Sequence, residues 1–532
     1  MPDLILYNAN VITMDPACPK AELVAVKNGR ITAVSNNETI HELRNSKTKV
    51  IDCTGKTVIP GFIDAHCHLA AYAEGFMSLN LSPSEGVGSI ADMQNKIRLF
   101  CKNCPSGTWI RGKGYNEFYL AEKRHPNRHD LDAATSLYPI KLTHRSGHAH
   151  VLNSVALQLV GITAETGDPP DGLIDRDLET GGPTGILYGM GSYLAKKIPS
   201  LDDDEMRQGI RQANEELLSC GITSIQDATS HNDIHSWNMF QQWKSEGIFR
   251  PGVTMMLGMK GFDEYQQQQY RPYGDESGLR IGGVKIIVHE ITGSLGPDQE
   301  RLNKMVFEIH KAGLQVILHA VEERTIEAAC DAIEYALKQL HRHDHLHRIE
   351  HCSVCPLALA KRIGDLGIMV VTQPAFIYYS GDRYLETVPS KQLENLYPIK
   401  RLMKHHVRVA ASSDFPIVKP NPLIGMYAAI TRMSESGSPV LPAEGIERLE
   451  ALRMYTETAA AASFQEQVRG SIKVGKAADL VVLNNDPRRV SADEIKTIKA
   501  EMTIIGGKIV WPNTDSNFIK VNPRFCRETP SV

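Results

Sequence analysis

Residues 60–68 read Pro60-Gly61-Phe62-Ile63-Asp64-Ala65-His66-Cys67-His68. In a strand, successive side chains alternate between faces, so Asp64, His66 and His68 project to one side and Ile63, Ala65 and Cys67 to the other. Two imidazoles at that spacing can grip one metal ion, although an isolated His-x-His is also a common accident. What separates the two readings is whether further ligands arrive from elsewhere in the chain.

Working outward, the segment before this stretch carries short strand patterns: Leu4-Ile5-Leu6-Tyr7, Val11-Ile12-Thr13 and Glu22 to Val26, then Asn28-Gly29-Arg30 as a hairpin turn into Ile31 to Val34. Similar patterns return near the far end, in Ala478 to Leu483 and Thr503 to Trp511. Small sheets need a partner to bury their inner faces. The reading is one β-sandwich assembled from both termini, 1–60 and 461–515, with a surface-draped tail at 516–532.

Between the ends, apolar strands alternate with helical stretches. After the opening strand come Gly221 to Asp227, Gly252 to Leu257, Gly283 to Val288, Leu314 to Ala320, His347 to Cys352, Gly367 to Gln373 and Val407 to Asp414. Helical patterns at Asp203 to Cys220, Asp298 to Ala312, Thr325 to Leu340 and Pro356 to Leu366 separate several of them. Eight strands in β/α alternation predict an α/β fold, a (β/α)8 TIM-like barrel over 61–460 with functional residues at the C-terminal strand ends. The gap at about 70–220 is too long for one crossover and is read as an insertion after the first barrel strand, of the kind that forms lids or substrate walls.

Composition narrows the partners. The 532 residues exceed one ordinary core, and a hydrophobic share of 42% with 23% charged residues is that of a soluble globular protein. A net charge of -4, with no basic cluster interleaved with aromatics, speaks against nucleic acid and anionic membrane. No apolar run reaches membrane-spanning length and the N-terminus lacks a signal-peptide pattern, so a cytoplasmic location is expected. Ten cysteines without a framework fit reduced thiols, and the pairs Cys101/Cys104 and Cys352/Cys355 lie far outside zinc-ribbon spacing. A homodimer is left open.

The strand ends supply the missing ligands. Lys285 lies within the apolar run Gly283 to Val288, where its charge must be neutralised or paired. His319 ends the fifth strand, His351 the sixth and Asp414 the eighth. Titratable groups thus fall where a barrel presents residues to its mouth, in register with His66 and His68.

This constellation resembles the amidohydrolase superfamily along nearly the whole chain. Trp109 to Gly114, Gly147-His148-Ala149-His150 with Asn153-Ser154, Gly221 to Ser224 and the run Gly470 to Leu483 resemble its long-insertion branch, which includes N-substituted formamide deformylase and YtcJ-like proteins. The resemblance implies one or two divalent ions, zinc first among them: one held by His66 and His68, one by His319 and His351. A carbamylated Lys285 would bridge them, and Asp414 would touch the first and exchange a proton with the attacking water. His148 is the candidate for steadying the substrate carbonyl. Two departures stand out: the branch commonly has Asp-Gly and Gly-Asp where this chain has His289-Glu290 and Glu322-Glu323. His289 is therefore a candidate substrate contact, together with Tyr115 and the aromatic run containing Phe376 and Tyr378, for which core packing is the competing reading.

The activity implied is hydrolysis of a C–N bond, first of all the amide of an N-acyl or N-formyl small molecule. The alternatives are a deaminase or cyclic-amide hydrolase on the same scaffold, or a non-catalytic binding or assembly scaffold.

Overall fold

A computed structural model describes all residues except 103, 106, 170–171, 268–277, 292–293 and 513–532. The expected tail at 516–532 and the last residues of the segment 461–515 lie outside the described residues. The described residues divide into two compact units, one built from Met1–Leu69 and 214–512, the other from Ala70–Ala213.

The first unit contains eight parallel strands: β1 (Phe62–Cys67), β2 (Ile222–Asp227), β3 (Gly252–Leu257), β4 (Leu279–Ile287), β5 (Val316–Ala320), β6 (Arg348–His351), β7 (Met369–Thr372) and β8 (Val409–Ala411). Each pairs with the next in chain order, in registers such as Ile287 opposite His319 and Ala320 opposite His351. β1, β2 and β3 are buried at every position, as parallel strands covered on both faces must be. Closure between the first and last strands is made by Asp414 N donating to His66 O at 3.0 Å and His68 N to Phe415 O at 2.9 Å. The eighth strand ends three residues before Asp414, which stands in the left-handed region at φ 58° rather than continuing the strand.

Gly61 explains the Pro-Gly-Phe sequence that enters the barrel. A Cβ there would lie 2.1 Å from Thr223 Oγ1, so only glycine permits the approach of β2. The preceding strand, Thr57–Pro60, lies in a six-stranded sheet that also holds Leu480–Leu483, Ala500–Ile505 and Lys508–Trp511, with Leu480 opposite Pro60. A four-stranded sheet is formed by Arg30–Ser35, Leu23–Lys27, Leu4–Tyr7 and Lys49–Asp52. Leu4, Val24 and Val26 from the second sheet share one apolar cluster with Val11, Val58, Leu480 and Ile504 from the first.

The second unit carries a six-stranded sheet, in the order Leu173–Arg176, Pro183–Tyr188, Ala149–Leu152, Ile140–His144, Ile110–Tyr115, Leu79–Asn80. The helix Ile90–Cys101, capped by the Ser89 side chain accepting from Asp92 N, contributes Met93 and Ile97 to a core with Ile110, Leu142 and Val151. No helix among the described residues is long and apolar enough to cross a membrane.

A histidine chain lies at the N-terminal end of β6. His347 Nδ1 accepts from Val316 N at 3.0 Å, so the proton sits on Nε2 and is donated to His310 Nδ1 at 2.7 Å; His310 Nε2 in turn donates to Leu340 O. His345 Nδ1 accepts from His347 N and its Nε2 donates to Leu366 O. Burial holds His345 and His347, both neutral in this arrangement, below the ordinary imidazole range. The unfolded chain takes up protons near pH 6.5 that the folded chain refuses. Stability is therefore expected to fall as pH drops below about 6.5, by up to ~1.4 kcal/mol per pH unit for each histidine. Urea titrations between pH 5 and 7.5 measure this, and a flat profile contradicts it.

Candidate metal centre

At the C-terminal ends of the strands, His66, His351 and Asp414 bring ligand atoms within 4.8 Å of one another, the one such group among the described residues. His68 Nε2 lies 3.2 Å from Asp414 Oδ1, and His66 Nε2 3.5 Å from the same oxygen. The His351 ring is 5.0 Å from His66 and 4.4 Å from His319, centroid to centroid. Lys285 is buried in β4, and its Nζ has no hydrogen-bond partner among the described residues.

Charge follows from burial. Desolvation first, then the cations Lys285 and Arg348 and the neighbouring imidazoles, hold His66 well below its usual value, which leaves it in the neutral form a metal needs. Burial likewise brings His351 down to about 4 and Lys285 down to about 8. Unpartnered Nζ, neutral imidazoles and a convergent carboxylate are the donor set of a divalent-cation site, so the residues fit a metal.

Each of three imidazoles is held through Nδ1, which turns Nε2 towards the centre. His68 Nδ1 meets Thr229 Oγ1 at 3.1 Å; His351 Nδ1 donates to Gln373 Oε1 at 2.9 Å, and Gln373 Nε2 donates to Ser412 Oγ. His66 Nδ1 meets Glu350 Oε2. None of these partners carried a role in the sequence reading. Asp64, which shares the face of His66, orients no imidazole. Its carboxylate accepts from His66 N at 3.3 Å, Ser413 N at 3.2 Å and Ser413 Oγ at 2.5 Å, tying β1 to the turn that presents Asp414. Asp227, at the end of β2, accepts from Leu69 N, Thr229 N and Asn232 Nδ2, and so fixes the loop carrying Thr229. Both Asp414 and His351 have positive φ, 58° and 70°, conformations uncommon for non-glycine residues and concentrated at functional sites.

The remaining candidates lie on other elements. Phe376, on the helix Ala375–Thr387, is packed into an apolar cluster with Tyr384, Tyr397 and Val440, so it serves the core rather than an open pocket. Tyr378 on the same helix packs edge-on against Tyr379 and Tyr427, with the Lys496 ammonium over its ring at 5.9 Å. His289 pairs with Gly296 in a short hairpin, and its neighbour Glu290 forms an ion pair with Arg324 at 2.7 Å. Tyr115 and His148 belong to the second unit. Tyr115 is buried, with its hydroxyl 2.9 Å from His125 Nδ1, beside His144, whose Nε2 lies 2.7 Å from Glu117 Oε2. The hydrogen bond from His144 holds the Glu117 carboxyl down to about 2. His148 is exposed in the turn before Ala149–Leu152, and it is His150 whose ring is buried.

The amidohydrolase family profile matches residues 49–511. N-substituted formamide deformylase of Arthrobacter pascens is 30% identical, across 97% of this chain and 99% of that protein. The putative amidohydrolase YtcJ of Bacillus subtilis is 26% identical, across 95% and 99%. Among solved structures, an uncharacterized metal-dependent hydrolase from Pyrococcus horikoshii OT3 superposes with a TM-score of 0.75 at 22% identity, over 92% of this chain and 99% of that one, which speaks for the shared fold. With the family profile over most of its length and a relative matched from end to end, the chain belongs to the amidohydrolase family and is a hydrolase of carbon–nitrogen bonds.

Proposed function

We propose that this enzyme hydrolyses the amide of an N-acyl or N-formyl small molecule, at one or two divalent ions held by His66, His68, Lys285, His319, His351 and Asp414. The observation that carries the reading is the convergence of His66, His351 and Asp414 around a buried lysine whose Nζ has no hydrogen-bond partner among the described residues. A divalent ion, zinc by the imidazole and carboxylate donors, supplies a Lewis acid that lowers the pKa of water from about 15.7 towards 7 and polarises a carbonyl. Asp414 takes the proton of the attacking water and delivers it to the leaving nitrogen, so that the amine departs neutral. Lys285, brought down to about 8 by burial, keeps a share of neutral amine near neutral pH, the form that carbon dioxide carbamylates into an anionic ligand. The full-length match to N-substituted formamide deformylase supports an N-formyl substrate. We further read the two terminal sheets as one sandwich, which their shared apolar cluster supports, and the unit Ala70–Ala213 as the insertion after the first barrel strand.

The test is a panel of N-substituted formamides, linear N-acyl amides, cyclic amides and aminopurines, assayed with zinc-loaded enzyme for formate, carboxylate and ammonia. Formate release from the N-formyl compounds is the expected result. Ammonia from an aminopurine, or ring opening without formate, would replace the reading with a deaminase or cyclic-amide hydrolase.

A further inference from the structure

Arg348 and Glu350 are alternate residues of β6 and are fully buried inside the barrel. Arg348 Nε lies 2.6 Å from Glu350 Oε1. Its terminal nitrogens donate to Gln226 Oε1 on β2, to Ala65 O on β1 at 3.0 Å, and to Ala462 O at 3.0 Å. The guanidinium is thus braced against two strands and the segment after the barrel, which fixes the carboxylate it holds. The second oxygen of that carboxylate faces His66 Nδ1.

A neutral imidazole has one N–H and one lone pair, and the partner of one nitrogen decides the role of the other. A hydroxyl, as at His68, can donate or accept and leaves the choice open. A carboxylate can only accept. We propose that Glu350 is a positioning residue for the metal centre: braced by Arg348, it receives the Nδ1 proton of His66 and so reserves Nε2 for the ion. This inference rests on the reading of His66 as a ligand.

The experiment strips the parent, His66→Ala, Glu350→Gln, Glu350→Asp and Arg348→Lys proteins with a chelator. Each is titrated with cobalt(II) while its visible ligand-field bands are followed, and the metal-free melting temperature is recorded alongside. Glu350→Gln and Glu350→Asp are expected to bind cobalt ~10–100-fold more weakly, with shifted bands. Arg348→Lys keeps a cation opposite Glu350 but loses the forked bonds that brace it, and should bind more weakly than the parent yet more tightly than Glu350→Gln. Glu350→Asp serves if Glu350→Gln does not fold, because it retains the charge facing Arg348 while withdrawing the carboxylate from His66. Parent-like cobalt binding by the Glu350 variants, beside a weakened His66→Ala, overturns the role of Glu350 and leaves His66 a ligand. Losses that merely follow melting temperature, Arg348→Lys included, overturn it in favour of a structural role. Parent-like binding by His66→Ala removes the metal reading itself.

Discussion

Replacing Asp414 with Asn is expected to lower kcat by ~10²–10⁴-fold while the zinc content of the purified protein stays at the parent level. Asparagine places an amide oxygen where the carboxylate stood, within reach of the His66 and His68 ring nitrogens that lie 3.5 and 3.2 Å from Asp414 Oδ1. It also tolerates the left-handed backbone at φ 58° as well as aspartate does, so the turn and its bond to His66 O survive. What is lost is the ability to take a proton from water. Steady-state kinetics on the best substrate, with metal analysis of the same sample, separates the two effects. Unchanged turnover would sink the assignment of Asp414 as the proton carrier.

The largest effect on stability is expected from Arg348→Met, ~3–5 kcal/mol in chemical denaturation of the metal-free protein. The substitution removes the guanidinium 2.6 Å from a fully buried carboxylate, and it takes a donor from Gln226 Oε1, Ala65 O and Ala462 O, the last of which keeps Gln315 Nε2. Without Arg348 the Glu350 carboxyl rises further above its unfolded value of about 4.3. A carboxyl raised on folding favours the folded state at low pH and loses that favour as pH rises. The deficit of the variant relative to the parent should therefore be larger at pH 8 than at pH 5. Adding Glu350→Leu should recover part of the loss, since removing both charges spares the cost of an unpaired one. An equal deficit at both pH values would show that the carboxylate was never the burden.

The barrel was legible because apolar runs alternate with helical patterns, and the candidate ligands His319, His351 and Asp414 drew notice because each stands at the end of such a run. Strand limits read from the sequence differ from the observed ones by a few residues, for example Leu314 to Ala320 against Val316–Ala320. The largest miss is at the eighth strand, where Val407 to Asp414 was read as extended and the chain instead leaves the sheet at Ala411. Nothing in the residue types announces that turn, because Ser-Ser-Asp is compatible with either conformation. Glu350 was visible but unassigned. Its signal was the sequence Arg348-Ile349-Glu350, opposite charges two apart on one face of an otherwise apolar strand, which demands that they pair in the interior. The partners Thr229, Gln373 and Ser413 had no such signal, since uncharged residues after a strand are ordinary loop chemistry. Phe376 stayed between two readings for the opposite reason: an aromatic run looks the same whether it lines a cavity or fills a core, and here it packs in an apolar cluster.

The bonds between Asp64 and Ser413 join residues 349 positions apart in the chain. At ~5–20 residues per second of synthesis, the ribosome needs roughly 20–70 s to deliver the second partner after the first. For that interval His66 and His68 are made but Asp414 is not, and the first strand has no last strand to close against. Catalytic competence is therefore a property of the finished chain. Any ion gathered early by the two histidines must wait, or be shielded, until the closing turn arrives.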